Sequence, residues 1–185
     1  MIIDKLVKLL KNTQVIAYVV VGLILITTML LLFTTSPKDD WSIVNQEISL
    51  LADNIRNHYK TKPDYWGLNS QSAAKFSPKE MVRNDKIVSA IGREFIIGQN
   101  EVGNTVMPSQ RNFMISINNL SKNACRQIAQ FDIDDKNQYG LQKIIINTPT
   151  VKTEFEWGGK NSLPISSENA NKFCDKKNTI SWVFE

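Results

Sequence analysis

The sequence predicts an α+β chain in which a long N-terminal helix, membrane-spanning over its first half, packs its second half against an antiparallel β-sheet. Three patterns carry that prediction. An uncharged apolar run occupies Val15–Phe33, a helical apolar stripe follows at Val44, Ile48, Leu51, Ile55 and Tyr59, and short β-prone runs fill most of the remainder. With 185 residues the chain has room for one ordinary domain of about 100 to 150 residues and something extra, and the apolar run is the extra.

In VIAYVVVGLILITTMLLLF no residue is charged, and Thr27 and Thr28 are its weakly polar members. At about 1.5 Å per residue such a helix reaches close to 30 Å, the thickness of a bilayer's hydrocarbon core. A cleaved secretory signal has a shorter apolar core, about 7 to 15 residues, and a small-residue cut site. Here Thr34-Thr35-Ser36 leads straight into Pro37, so the segment is expected to remain as an anchor. Lys5, Lys8 and Lys11 outnumber Asp4 before the run, whereas Lys38 after it is answered by Asp39 and Asp40. The basic flank stays in the cytoplasm. The expected organisation is a cytoplasmic leader at 1–13, a transmembrane helix at 14–36 and an extracytoplasmic domain at 41–185, with the lipid bilayer as a partner.

The net charge of +4 divides evenly, +2 in residues 1–13 and +2 in the rest. Nucleic-acid binding needs a basic face, and these lysines are scattered among acids, so no nucleic-acid partner is expected. Cys125 and Cys174 are the two cysteines. Both follow the span, in a compartment where disulfides persist, and pairing them is the economical reading. The alternative is two buried free thiols.

The stripe from Val44 to Tyr59 steps by four and three, as one face of a helix does. Lys62-Pro63 ends it. A polar stretch with Gly67, Ser70, Ser72 and Pro78 reads as a long connection with room for one short helix. Strands are expected at Lys86–Ala90, Glu94–Gly98, Asn112–Asn118, Gln142–Asn147, Val151–Trp157 and Thr179–Phe184, several with period-two alternation. Two short helices hold the cysteines. Ser121 caps the first, turning Ala124, Ile128 and Phe131 inward, and Ser166 or Ser167 caps the second, where Phe173 packs.

No constellation for chemistry assembles, so neither an enzyme nor a bound cofactor or metal is expected. His58 is the single histidine, which removes histidine metal clusters and Ser-His-Asp triads. Asp132, Asp134 and Asp135 lack the order of a calcium loop. Glu154 and Glu156 share a strand face, a pattern that exposed acids beside Lys152 also explain. Asn119-Leu-Ser121 fits a glycosylation sequon but serves better as a helix cap, and Gly158-Gly159 is a turn. Trp41, just past the span, suits a membrane-interface anchor, while Tyr65, Trp66, Trp157 and Trp182 suit a small core or an interface.

Three segments resemble the type IVb pilins, the group that includes the toxin-coregulated and PilS-like pilins. NIRNHYKTKPDYWG is similar to the family's exit from its long helix, and FSPKEMVRNDKIVSAIGREFIIG to its loop into the first hairpin. NFMISINNLSKNACRQIAQF with FCDKKNTISWVFE is similar to the cysteine helix and the cysteine-led last strand. The resemblance implies a pilin-like fold, a Cys125–Cys174 bridge, and a structural or assembly role in a type IVb or conjugative pilus system, with other pilus subunits or further copies as partners. A signal-anchored periplasmic scaffold domain of another envelope complex is the alternative. The N-terminus departs from the family pattern: KNTQ rather than a glycine precedes the apolar run, which contains no acid. Gly22 is too deep for a cut, since LILITTMLLLF could not span a bilayer. The leader is therefore expected to stay on, in the inner membrane, with the domain in the periplasm.

Overall fold

A computed structural model describes residues 13–34, 41–99, 112–130 and 140–185, with side chains in the first stretch described over 17–27. The chain divides into two units, Met1–Asp39 and Asp40–Glu185. The first contains helix α1, Thr13–Thr34. Tyr18, Val19, Val20, Val21, Leu23, Ile24, Leu25 and Ile26 are all exposed along it. Counting only described side chains, no helix is long and apolar enough to cross a membrane. The expectations for residues 1–12 and for the joint at 35–40 lie outside the described residues.

The second unit begins with helix α2, Trp41–Tyr59, whose stripe behaves as its period requires: Val44, Ile48, Leu51, Ala52, Ile55 and Tyr59 are buried. Arg56 and His58 in its last turn are the basic residues that favour a helix C-terminus. Trp41 at its start packs half-buried against the domain core. A short helix α3, Ser70–Ala74, starts on a capping box in which the Asn69 side chain accepts the Ser72 N–H and the Ser72 hydroxyl accepts the Asn69 N–H.

A two-residue hairpin follows, β1 Val82–Arg83 against β2 Lys86–Ile87. Its turn residues Asn84 and Asp85 have φ of 51° and 60°, the mirror-image turn that Asn and Asp tolerate best among non-glycine residues. The main sheet holds β3 Phe95–Gln99, β4 Phe113–Leu120, β5 Leu141–Asn147, β6 Lys152–Glu156 and β7 Asn178–Phe184. Its order is β3-β4-β7-β5-β6, and every described pair is antiparallel. Helix α4, Lys122–Ala129, lies between β4 and β5 in the chain, and helix α5, Ser167–Phe173, precedes β7.

Register decides the core. One row across the sheet reads Ile97, Ile115, Trp182, Ile144 and Phe155, and the next reads Phe95, Ile117, Ile180, Ile146 and Thr153. Nine of these ten residues join the α2 stripe in one hydrophobic cluster, the exception being Thr153 at the edge. The opposite face holds Ser116 and Ser181 at paired positions, their hydroxyls 2.8 Å apart. A slip of one residue would exchange the two faces, so the apolar row pins the register.

Candidate functional site

The two cysteines are brought together by the strand that lies between β4 and β5. At the end of β4 the ladder with β7 shifts between Ile117 and Leu120, and Asn119 takes φ 58°. That bulge turns the chain so that Ser121 can cap α4, its hydroxyl accepting the Ala124 N–H at 3.3 Å. Of Ser166 and Ser167 it is Ser166 that caps α5, its hydroxyl accepting the Asn169 N–H at 3.2 Å. Cys125 on α4 and Cys174 at the end of α5 are joined, with their α-carbons 5.8 Å apart. Both are buried. The Ser167 hydroxyl donates to Gln130 Oε1 at 2.6 Å, a second tie between the helices, and Asn178 Nδ2 donates to the Leu120 carbonyl at 3.0 Å.

This is a clamp, and its consequence is topological. β7 is the last strand in sequence and the central one in space, so the sheet closes only when β7 is seated between strands made much earlier. The bridge fixes the residue that leads into β7 to the helix that follows β4.

The acids weighed for chemistry are otherwise engaged. Lys143 of β5 reaches Glu156 at 2.8 Å and Glu154 at 3.1 Å, while Lys152 reaches Glu154 at 2.6 Å. Lys143 is held above its ordinary value chiefly by the hydrogen bond to Glu156, and Glu154 below its own chiefly by the bond to Lys152. Two carboxylates tied down by two lysines form a cross-strand ladder rather than an acid–base pair. His58 is exposed, stacked on Phe76 with ring centroids 4.2 Å apart and 3.3 Å from Lys62 Nζ. Gly158, with φ 68°, makes the expected turn. Asp132, Asp134 and Asp135, and the inward position expected for Phe131, lie outside the described residues. Among the described residues no three His, Cys, Asp or Glu side chains stand together as a metal site.

Of the aromatic residues, Trp182 and Tyr65 are buried, while Trp66 and Trp157 are exposed. Trp157 hydrogen-bonds through Nε1 to the Leu141 carbonyl at 2.8 Å.

Two groups escaped the sequence reading. Glu47 on α2 accepts the Ala90 N–H at 2.8 Å through Oε1, while its buried Oε2 has no partner among the described residues. Burial pushes its carboxyl up, against the smaller downward pull of the Ala90 bond. No spacing rule could have found it, because Ala90 is 43 residues away. Arg56, on the half-exposed side of α2, donates from Nε to the Glu185 carbonyl at 2.9 Å and pairs with Asp53 at 3.3 Å.

No protein-family profile matches the sequence, and no curated protein matches it. Solved structures do. The type IVb pilin from Salmonella typhi is similar with a TM-score of 0.53 and 16% identity, over 75% of this chain and 95% of the pilin. TcpA, a type IV pilin from the Vibrio cholerae El Tor biotype, is similar with a TM-score of 0.53 and 11% identity, over 78% of this chain and 98% of TcpA. At these identities the likeness is one of fold, and the described chain is an α+β protein with a pilin-like fold.

Proposed function

We propose that this chain is a structural or assembly component of a type IVb or conjugative pilus system, held in the inner membrane by residues 14–36 with its domain in the periplasm. The observation that carries the proposal is the likeness of the helix-and-sheet architecture to type IVb pilins. The disulfide clamp around the central last strand supports the same reading, as the resemblance of the two cysteine segments implies. Lipid around α1 is supported by its large apolar side chains, exposed on successive positions from Tyr18 to Ile26. A helix apolar all round is at home in hydrocarbon. The protein acts by packing contacts rather than chemistry, and its partners are the bilayer and other pilus subunits, including copies of itself.

Deleting the gene in its native host is expected to abolish or shorten pili, with restoration by the full chain. A reporter active only in the periplasm, fused after Glu185, is expected to be active. Unaltered pili would remove the assembly role, and a silent periplasmic reporter beside an active cytoplasmic one would remove the topology. Mass spectrometry of the protein from isolated membranes reads the mature N-terminus, which is expected to retain residues 1–13.

A further inference from the structure

At the end of α2 several rings close on one another. His58 stacks on Phe76, Tyr59 meets Tyr65 with centroids 5.3 Å apart, and Tyr59 meets Phe76 at 6.4 Å. Lysines accompany them. Exposed Lys60 follows Tyr59, exposed Lys75 precedes Phe76, and the Lys62 ammonium lies 4.2 Å from the Tyr59 ring centroid. Between residues 58 and 76 the sole acid is Asp64, and its carboxylate accepts the Trp66 N–H at 2.9 Å.

Trp66 is held outward by its own turn. The Leu68 N–H donates to the Tyr65 carbonyl at 3.0 Å, and Gly67 supplies the φ of 79° that this turn requires. Tyr65 and Leu68 on either side are 6% and 5% exposed, whereas Trp66 is 80% exposed. The two buried neighbours fix the turn to the core, so the indole is displayed rather than loose. Its large apolar body packs on little of this domain, and the ring cluster at the end of α2, from which its turn leads off, carries exposed Lys60, Lys62 and Lys75.

Tryptophan, apolar in body with one N–H to hydrate, suits the boundary between acyl chains and headgroups, and lysines beside it suit headgroups that carry negative charge. Single-stranded nucleic acid would call for successive free rings along a charged groove, and here the other exposed ring of the cluster, His58, is already stacked on Phe76. We propose that the turn at 64–68, with Lys60, Lys62 and Lys75, docks on an anionic lipid surface, Trp66 entering the interface and the lysines meeting the headgroups. The surface belongs wholly to the domain and stands independently of the pilus role.

The test uses the full chain reconstituted in vesicles of phosphatidylcholine, alone or mixed with phosphatidylglycerol, with brominated acyl chains as quenchers. The emission of the Trp66→Phe variant, subtracted from that of the parent, isolates Trp66 among four tryptophans. Brominated lipid is expected to quench the Trp66 component in the anionic vesicles. That quenching is expected to fall several-fold in phosphatidylcholine alone, in high salt, and in a Lys60→Glu/Lys75→Glu variant, whose thermal melt stays with the parent because both positions are exposed. Three outcomes overturn the proposal. In one, Trp66 stays open to acrylamide and indifferent to brominated lipid in both vesicles. In another, quenching is equal in both and untouched by charge reversal. In the third, protection follows protein concentration rather than lipid, which assigns the ring to a second copy. A chain that fails to reconstitute contradicts the membrane anchor instead, and the same vesicles added from outside still test Trp66.

Discussion

Replacing Cys174 with serine tests the clamp. The bridge spans a sequence separation of 49 residues. In the chain-entropy account, opening a loop of that length frees the unfolded ensemble by about 4 kcal/mol. Cys125 is fully buried and Cys174 nearly so, and a serine hydroxyl left unpartnered there costs about 1 kcal/mol or more in addition. The expected loss is therefore about 4 to 5 kcal/mol, a large share of the roughly 5 to 15 kcal/mol that holds an ordinary domain. The Ser167–Gln130 and Asn178–Leu120 hydrogen bonds still tie the two ends, so the variant is expected to fold, with its urea midpoint lower by roughly 2 M for a slope near 2 kcal/mol/M. The slope itself should rise, because the uncrosslinked chain exposes more surface on unfolding. Removing both cysteines should cost about as much as removing one, since there is a single covalent link to lose. An unchanged midpoint in the single variant, or a parent whose midpoint ignores reductant, would refute the clamp.

Three further perturbations probe separate parts of the domain. Leu51→Asp places a charge at a fully buried position under the sheet and is expected to lower stability by at least about 3 kcal/mol, so a melt matching the parent would contradict the packing of α2. Lys143→Met leaves Glu154 and Glu156 facing each other with Lys152 alone to answer them; the cost is expected to be about 1 kcal/mol or less, shrinking with salt, and a salt-independent loss would count against an electrostatic origin. Glu47 has a folded-state carboxyl raised above its ordinary value of 4.5 by burial, so its stabilising contribution is present below the unfolded value and lost as pH rises through the folded one. Glu47→Gln, which keeps an acceptor for Ala90, is expected to melt higher than the parent at pH 7 and level with it near pH 4; a lower melt at pH 7 would show that the charge itself is needed.

The elements legible in the sequence were those that carry their own period. The α2 stripe appeared as steps of three and four, and Phe113, Ile115 and Ile117 alternate as a half-buried strand does. The serine caps were visible because a cap is a local event. Strand order was not legible, because nothing local in TISWVF marks it as central rather than terminal; the position of β7 follows from which apolar rows complete one another across the sheet. β2 lies inside the strand expected at Lys86–Ala90, but its partner β1 was missed since two residues make no period, although Asn84-Asp85 is the pair such a turn favours. The bond from Arg56 to Glu185 was not legible, because helical phase fixes a direction and not a neighbour. Trp66 was counted among candidate core or interface aromatics. Its exposure comes from a turn whose anchors, Tyr65 and Leu68, resemble it in type and differ from it in direction.

How copies of such a domain can associate is constrained by the edges of the sheet. An open edge strand invites another chain to add to it. Here the outer side of β3 is occupied: the Ser70 hydroxyl accepts the Ile97 N–H at 2.8 Å and donates to its carbonyl at 3.4 Å, and Asn69 bridges to Gly98. The outer side of β6 is occupied too. Asn161 Nδ2 donates to the Glu154 carbonyl at 3.1 Å, the Glu156 N–H donates to the Asn161 carbonyl at 3.0 Å, and the Leu163 N–H donates to the Glu156 carbonyl at 3.2 Å. Strand addition would have to strip these bonds first, and each stripped group would need a new partner. The domain instead leaves Ile43 and Leu50 exposed on α2, seven residues and about two turns apart, opposite the face the sheet covers. Within the proposed pilus role, contact between subunits therefore falls to helix faces rather than sheet edges, and Leu50→Lys is expected to impair assembly while leaving the melt of the domain where it was.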